Sequence, residues 1–145
     1  MIESILLVDD EDLFHLVFED ACNLLDITLS LRALDSSDKA DVLFKKWFEE
    51  KLPEDRPECV FVDLNMVGST YDGIELVRRI NFMYGDGVVI GIISSSNETE
   101  EQSRAIQAGA QFWIVKSDDI EPRLEEFVKD YDSYKSKSAP FKIYE

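Results

Sequence analysis

The sequence predicts an α/β fold, in which a doubly wound parallel sheet of five strands is flanked by five helices. Short apolar segments alternate with longer segments of helical spacing, giving five β–α units in succession. The short segments are apolar, which is typical of parallel strands covered on both faces. A length of 145 residues suits one domain. We expect this domain over residues 1–132, followed by a tail over residues 133–145.

The five predicted strands are runs of β-favouring, apolar residues bounded by polar or turn-forming residues. They cover residues 5–8, 27–33, 60–62, 88–93 and 112–115. Each is followed by a segment long enough for a crossover helix, so parallel pairing is expected.

Apolar residues three and four positions apart predict the first two helices. The face of the first helix is made of Leu13, Leu16, Val17, Ala21, Leu24 and Leu25. The face of the second is made of Val42, Leu43, Phe44, Trp47 and Phe48. Ser37 or Asp38 is expected to cap the second helix, because a side-chain oxygen there would accept a hydrogen bond from the first turn.

Turn-forming residues locate the last three helices. The third begins after Gly73, and the fourth ends at Gly109, since glycine readily adopts the left-handed conformation that ends a helix. The fifth has Pro122 in its first turn, where proline is well tolerated. Their apolar faces are made of Ile74, Leu76, Val77 and Ile80 in the third, and of Leu124, Phe127 and Val128 in the fifth.

The charge balance argues against two classes of partner. The chain has 31 acidic and 15 basic residues, for a net charge of −16. Such a surface repels the phosphates of nucleic acids and anionic lipids, so neither is an expected partner. Cys22 and Cys59 are far apart and lack the spacing of a metal site, which indicates buried thiols in a reducing compartment. Without a signal peptide or a membrane-spanning stretch, the sequence predicts a cytoplasmic protein.

Charged and hydroxyl side chains stand where the apolar strands end. They are Asp9 and Asp10 after the first strand, Asp63 after the third, Ser94, Ser95 and Ser96 after the fourth, and Lys116 after the fifth. Taken singly, each has a simpler explanation as a helix cap or a surface residue. In a doubly wound sheet, however, the carboxyl ends of the strands meet at one edge.

Three carboxylates at one edge would repel one another, and a divalent cation would relieve that repulsion. An all-oxygen set of ligands favours Mg²⁺. The lysine and the hydroxyl groups suit a transferring phosphoryl group, which carries negative charge on its oxygens. Asp63 could then act as a nucleophile and become an acyl phosphate.

Four segments in this order resemble the receiver domain of two-component response regulators. They are "LLVDDEDLF", "VFVDLNMVGSTYDGIELV", "VVIGIISSSN" and "AIQAGAQFWIVKS". The resemblance spans nearly the whole chain, and it implies a flavodoxin-like sheet with strand order 2-1-3-4-5. The "KS" dipeptide and the "SSSNETEE" run are also similar to small single-domain regulators associated with phytochrome kinases.

The resemblance implies a role for each residue at the carboxyl ends of the strands. Asp63 matches the phosphoacceptor. Asp9 and Asp10 match the acidic pair that organises Mg²⁺, together with Asp63 and the backbone carbonyl of Asn65.

The remaining matched residues would contact the phosphoryl group or respond to it. Ser94, next to Ser95, matches the hydroxyl residue that binds the phosphoryl group, and Lys116 matches the lysine that pairs with it. Trp113 matches the switch aromatic, usually tyrosine or phenylalanine.

The sequence departs from the family pattern in three places. The segment between Asp63 and Gly73 is longer than usual, with Val67 where proline is frequent. Ser117 stands where most receivers have a proline, often after a cis bond. A cis bond before serine would cost about 2.5–4 kcal/mol, so we expect trans. Trp113 is bulkier than the usual aromatic, which puts its fit in the interior in doubt.

The resemblance implies a stand-alone receiver rather than an enzyme with a separate substrate. It would take its phosphoryl group from a histidine kinase or a histidine phosphotransfer protein, and would switch contacts with a downstream protein or a second copy. The family's usual partner face is formed by the fourth helix, fifth strand and fifth helix, here with Gln107, Trp113 and Glu121.

Two other functions compete with this interpretation. A degenerate receiver that only binds proteins usually loses the lysine or the acceptor, and this chain keeps both. A phosphatase of the haloacid dehalogenase type needs a second aspartate two residues after the nucleophile, where this chain has Asn65. The tail is either a loose end or an arm that docks on a partner or on its own domain.

Overall fold

The computed structural model describes residues 2–27, 30–50 and 56–145, and the described residues form six strands and five α-helices. In chain order these are β1 (Ser4–Val8), α1 (Asp12–Leu25), β2 (Ser30–Leu34), α2 (Ser37–Glu50), β3 (Cys59–Asp63), α3 (Gly73–Tyr84), β4 (Val89–Ser94), α4 (Thr99–Ala108), β5 (Phe112–Val115), α5 (Glu121–Lys135) and β6 (Lys142–Tyr144). A 3₁₀ turn, Gly85–Gly87, precedes β4.

All neighbouring strands are parallel, in the order β2-β1-β3-β4-β5-β6. The first five have the predicted order, so the predicted fold is confirmed. The sixth was not predicted: β6 pairs with β5, with Ile143 opposite Trp113. The predicted tail therefore docks on its own domain. The division of the chain at residue 132 stays a prediction, and α5 continues beyond it to Lys135.

Helices cover both faces of the sheet, which creates two apolar cores. One core lies between the sheet and helices α1 and α5, and the other between the sheet and helices α2, α3 and α4. The first is rich in aromatic rings, including Phe61, Phe112 and Phe127, whose centroids lie 4.4–5.3 Å apart. Strands β3 and β4 are buried along their whole length, as expected for central parallel strands.

The predicted strand bounds agree closely with the structure except in β2. The fifth strand has the predicted bounds, 112–115. The second was predicted over residues 27–33; in the described chain it covers Ser30–Leu34, and residues 28 and 29 lie outside the described residues. Ile27 is buried but precedes the strand.

The predicted apolar face of α1 is wrong at its three exposed leucines, whereas Ala21 is buried and Val17 and Leu25 pack against the core. Leu13, Leu16 and Leu24 are 60–74% exposed, whereas the buried residues of α1 are Phe14, Phe18, Ala21 and Cys22. Both sets have helical spacing, because α1 is apolar over more than half of its circumference. The aromatic set packs inward because Phe14 and Phe18 remove more apolar surface from water and Phe18 contacts Phe61 edge-on.

The predicted cap of α2 is also wrong. Ser36 caps the helix, since its Oγ accepts a hydrogen bond from the N–H of Lys39 at 3.2 Å. Ser37 and Asp38 instead bind the loop between β3 and α3. Of the predicted apolar face, Phe44 and Trp47 are buried, but Val42 and Phe48 are exposed.

The other local predictions hold. The predicted residues of α3 are buried, Gly109 ends α4 with φ +110°, and Pro122 lies in the first turn of α5. Cys22 and Cys59 are buried free thiols, and burial raises the pKa of Cys22 to about 12. Among the described residues, no helix is both long and apolar enough to cross a bilayer.

Candidate functional site

The parallel register brings four predicted site residues to the carboxyl ends of neighbouring strands. Asp63 and Ser94 are the last residues of β3 and β4, Asp9 directly follows β1, and Lys116 directly follows β5. Val8 pairs with Val62 and Ser94 with Val115, so these side chains emerge at the same level of the sheet. This edge is called the rim below.

Lys116 is the cation at the centre of the rim. Its Nζ lies 2.7 Å from Asp9 Oδ2 and 3.3 Å from Asp63 Oδ1, and its side chain is only 8% exposed. Glu11 Oε1 lies 3.1 Å from the same ammonium. One positive charge therefore faces three carboxylates, two of them buried.

This imbalance of charge shifts the proton affinity of the rim groups. Burial, together with the negative charge of Asp9, raises the pKa of Asp63 to about 7, although Lys116 opposes the shift. Burial also raises the pKa of Asp9. For Lys116, burial alone would lower the pKa, but the hydrogen bond and the charges of Asp9 and Asp63 outweigh it and raise the pKa.

The rim carboxylates meet the chemical requirements of a divalent cation site. Oxygen atoms of Asp9, Asp10, Glu11 and Asp63 all lie within 4.8 Å of one another. Asp9 is fully buried, and the Lys116 ammonium 2.7 Å from its Oδ2 is shared with Glu11 and Asp63, so the charge of Asp9 is neutralised only in part. An all-oxygen donor set with excess negative charge fits Mg²⁺.

The hydroxyl residues after β4 are arranged for different roles. Ser94 is buried, and its Oγ accepts a hydrogen bond from the N–H of Ser96 at 3.1 Å. Ser95 is exposed, and the hydroxyl of Ser96 donates to Glu101 at 2.6 Å. Of the three, Ser94 alone combines burial with a position at the end of a central strand.

Trp113 is fully buried, which corrects two predictions. The interior has room for its indole ring, in a core that also contains the small residues Ala105 and Ala108. Its Nε1–H donates to the carbonyl of Ser96 at 3.0 Å. Trp113 is therefore not presented on the surface made by α4, β5 and α5, where Gln107 is exposed and Glu121 is partly exposed.

Three contacts at the rim involve groups to which the sequence assigned no role. Glu11 joins the acidic cluster, and the signal for it was a third acidic residue directly after Asp10. The Nε2–H of His15 donates to the carbonyl of Asp9 at 2.5 Å, and the N–H of Val67 donates to Asp10 Oδ2 at 3.1 Å. Backbone groups such as these leave no mark on the residue pattern.

The loop after β3 contains the remaining predicted metal ligand. Asn65 is exposed two residues beyond Asp63, and the role of its carbonyl stays a prediction. The loop begins and ends close together, because the N–H of Gly73 donates to the carbonyl of Leu64 at 2.9 Å. The peptide bond between Lys116 and Ser117 is trans, as predicted.

Comparison with known proteins agrees with this geometry. The family model of the response regulator receiver domain matches residues 5–125. The chain belongs to this family. No protein of curated function matches the sequence of this receiver significantly.

Solved structures share the fold of this receiver at low sequence identity. The response regulator domain of Thermotoga maritima CheB has a TM-score of 0.69 at 18% identity, with 90% of this chain and 96% of that chain covered. A CheY-like receiver domain protein from Methanospirillum hungatei has a TM-score of 0.72 at 14% identity, with 94% and 99% covered.

Some of the structural matches cover only part of a longer chain. Brucella abortus NtrX has a TM-score of 0.69 at 26% identity; the match covers 94% of this receiver but 29% of the NtrX chain. The same fold thus occurs both as a single domain and within a longer chain.

Proposed function

We propose that this receiver accepts a phosphoryl group on Asp63 from a phosphohistidine donor and uses it to switch contacts with other proteins. The observation that supports this most directly is the position of Asp63. Its carboxylate lies at the end of a buried central strand, 3.3 Å from Lys116 and within a cluster of acidic oxygens. Family membership supports the same chemistry.

The proposed reaction is a transfer between two side chains. A carboxylate oxygen of Asp63 attacks phosphorus, the phosphorus–nitrogen bond to the donor histidine breaks, and the imidazole nitrogen keeps the electron pair. The product is an acyl phosphate, and later attack by water restores the carboxylate and releases inorganic phosphate. The receiver turns over no separate substrate, so it is not an enzyme in the usual sense.

Two side chains are assigned to the phosphoryl oxygens. Lys116 would pair its ammonium with one oxygen, because it already lies next to the acceptor. Ser94 would donate its hydroxyl proton to another; its Oγ is held by the N–H of Ser96, which leaves that proton available. Trp113 donates a hydrogen bond to the carbonyl of Ser96, so it would respond to a movement of the loop between β4 and α4.

The acidic residues are assigned to magnesium. Asp9, Asp10 and Asp63, with the backbone carbonyl of Asn65, would hold the ion. Bound there, Mg²⁺ supplies positive charge that offsets the charge on the phosphoryl oxygens. A cation held there would also lower the pKa of Asp63 and so favour the nucleophilic carboxylate at neutral pH.

The proposed partners are proteins in the cytoplasm. A histidine kinase or histidine phosphotransfer protein would donate the phosphoryl group, and a downstream target protein or a second copy of this chain would bind the phosphorylated form. Because β6 covers the edge of β5, a partner at the surface of α4 and α5 would meet β6 as well. The predicted stand-alone arrangement remains a prediction, since similar receivers occur in longer chains.

The main alternative is a receiver that binds proteins without phosphorylation. Intact-protein mass spectrometry after incubation with acetyl phosphate and Mg²⁺ decides between the two. We expect a gain of one phosphoryl group in the wild type, and none in Asp63→Asn or in the presence of EDTA. An unmodified wild type under all conditions, including a phosphorylated histidine phosphotransfer protein as donor, would refute the proposal.

A further inference from the structure

The loop between β3 and α3 is fastened to the first turn of α2. The N–H of Ser37 donates to Ser69 Oγ at 3.1 Å, and the hydroxyl of Ser37 donates to the carbonyl of Tyr71 at 2.6 Å. The N–H of Thr70 donates to Asp38 Oδ2 at 2.9 Å. Three hydrogen bonds thus join one helical turn to three consecutive loop residues.

These bonds are a specific feature of α2 and not a by-product of its capping. Ser36 caps the helix, so the side chains of Ser37 and Asp38 are free for the loop. Ser37 is fully buried, and its hydroxyl would lack a partner without Tyr71. The bond from the backbone of Thr70 lowers the pKa of Asp38, which keeps its carboxylate ionised and the bond strong.

The other end of the same loop contacts the acidic cluster. The N–H of Val67 donates to Asp10 Oδ2 at 3.1 Å. The side chain of Val67 is 91% exposed, so this residue contributes to the rim through its backbone alone. The bond orients the carboxylate of Asp10, one of the oxygens grouped within 4.8 Å at the rim.

We propose that Ser37 and Asp38 are positioning residues for the divalent cation site. They hold the loop so that the N–H of Val67 orients Asp10 before the cation binds. This inference rests on the proposed magnesium dependence of the receiver, and it adds two residues of α2 that do not themselves contact the cation.

The test measures cation affinity without any phosphoryl donor. Mn²⁺ is titrated into the full chain and followed by electron paramagnetic resonance, with Mg²⁺ as competitor. We expect Ser37→Ala and Asp38→Ala to weaken Mn²⁺ binding about tenfold, the lower end of the effect of removing residues that orient ligands. Ser69→Ala removes a different hydrogen bond between the loop and α2, the one that Ser69 Oγ accepts from the N–H of Ser37, so it provides the measurement if Ser37→Ala fails to fold.

Two control variants separate positioning from general effects. Ser36→Ala removes the cap of the same helix, and Asp35→Ala removes a nearby exposed carboxylate that pairs with Lys39. Both are expected to bind Mn²⁺ within twofold of the wild type. Hydrogen exchange of residues 66–72 in the metal-free protein reports independently on release of the loop.

A double-mutant cycle tests the route through Val67. Val67→Pro deletes the N–H that contacts Asp10, so Ser37→Ala should cause little further loss of affinity in that background. If the loop is released but Mn²⁺ affinity is unchanged, or if the two effects are fully additive, the inference is wrong and the proposed function stands. If the wild type does not bind Mn²⁺, the proposed magnesium dependence fails and the inference fails with it.

Discussion

The ammonium of Lys116 lies 3.3 Å from Asp63 Oδ1 and closer still, at 2.7 Å, to Asp9 Oδ2. The cation is thus shared between two buried carboxylates and neutralises neither completely. Burial and the charge of Asp9 raise the pKa of Asp63 to about 7. The metal-free rim therefore stores electrostatic strain that a proton, an amide substitution or a divalent cation would relieve.

This strain predicts a pH-dependent effect of Asp63→Asn. The pKa of Asp63 is higher in the folded than in the unfolded chain, so its deprotonation costs stability as pH rises from the unfolded pKa through the folded one. Asparagine carries no charge and avoids that cost. We expect the stabilisation by Asp63→Asn to grow by about 2 kcal/mol between about pH 5.5 and pH 8.5.

Urea unfolding in EDTA at both pH values measures the effect. Asp35→Asn is the control, because Asp35 is exposed and the hydrogen bond to Lys39 lowers its pKa instead. A stabilisation that is equal at both pH values, or larger at the lower one, would show that Asp63 is not strained in the folded chain.

Removing the ammonium of Lys116 should destabilise the folded protein, in contrast to Asp63→Asn. Lys116→Met leaves Asp9 and Asp63 buried without a positive neighbour, and breaking a buried pair in this way typically costs about 3–5 kcal/mol. We expect a loss of this order for the metal-free protein at about pH 8, with part of it recovered in millimolar Mg²⁺. Lys129→Met, which removes an exposed pair with Glu125 on α5, should change stability by about 0.5 kcal/mol or less. Equal losses with and without Mg²⁺ would contradict a cation site at the rim.

Gly73 is predicted to tolerate no side chain. A Cβ at this position would lie 2.1 Å from the backbone oxygen of Asp63, so β3 or α3 would have to move. We expect Gly73→Ala to cost about 3 kcal/mol or more and to slow phosphorylation by acetyl phosphate. The matched control is Gly68→Ala, where φ is +84° but no atom lies within 4 Å; it should cost only about 1 kcal/mol of backbone strain. Similar costs for the two variants in urea unfolding would show that contact with Asp63 is not decisive.

The docking of β6 should depend on a buried hydroxyl pair. The hydroxyl of Tyr144 lies 2.8 Å from that of Tyr134 and donates to Asp130 Oδ2 at 2.7 Å. We expect Tyr144→Phe to lower the free energy of unfolding by about 1–2 kcal/mol, because partners in α5 lose a hydrogen bond. A double-mutant cycle with Tyr134→Phe, followed by urea unfolding, measures the coupling. Strictly additive effects would mean that the two hydroxyl groups do not interact.

From sequence alone, the fold class, the order of elements and most rim residues could be predicted. Each depends on residues adjacent along the chain: an apolar strand, then an acidic, hydroxyl or basic residue at its end. Since parallel strands must align their carboxyl ends, Asp9, Asp63, Ser94 and Lys116 had to meet once the strands were recognised. The residue types alone likewise predicted that α4 ends at Gly109 and that α5 begins near Pro122.

Only the tertiary structure decided which surfaces pack and which polar groups meet. Helix α1 has two apolar stripes, and helical spacing cannot rank them; the neighbouring ring of Phe61 selects Phe14 and Phe18. Trp113 is buried in a core that also contains Ala105 and Ala108 of α4, a grouping that neighbouring residues along the chain do not reveal. The three residues of β6 are too few to predict a strand without knowledge of the edge of β5 with which they pair. Hydrogen bonds join α2 to the loop between β3 and α3, and Val67 to Asp10. These hydrogen bonds connect residues 32–57 positions apart in the sequence, partly through backbone atoms. Distances of that kind are set by packing of the whole chain, which no local residue pattern encodes.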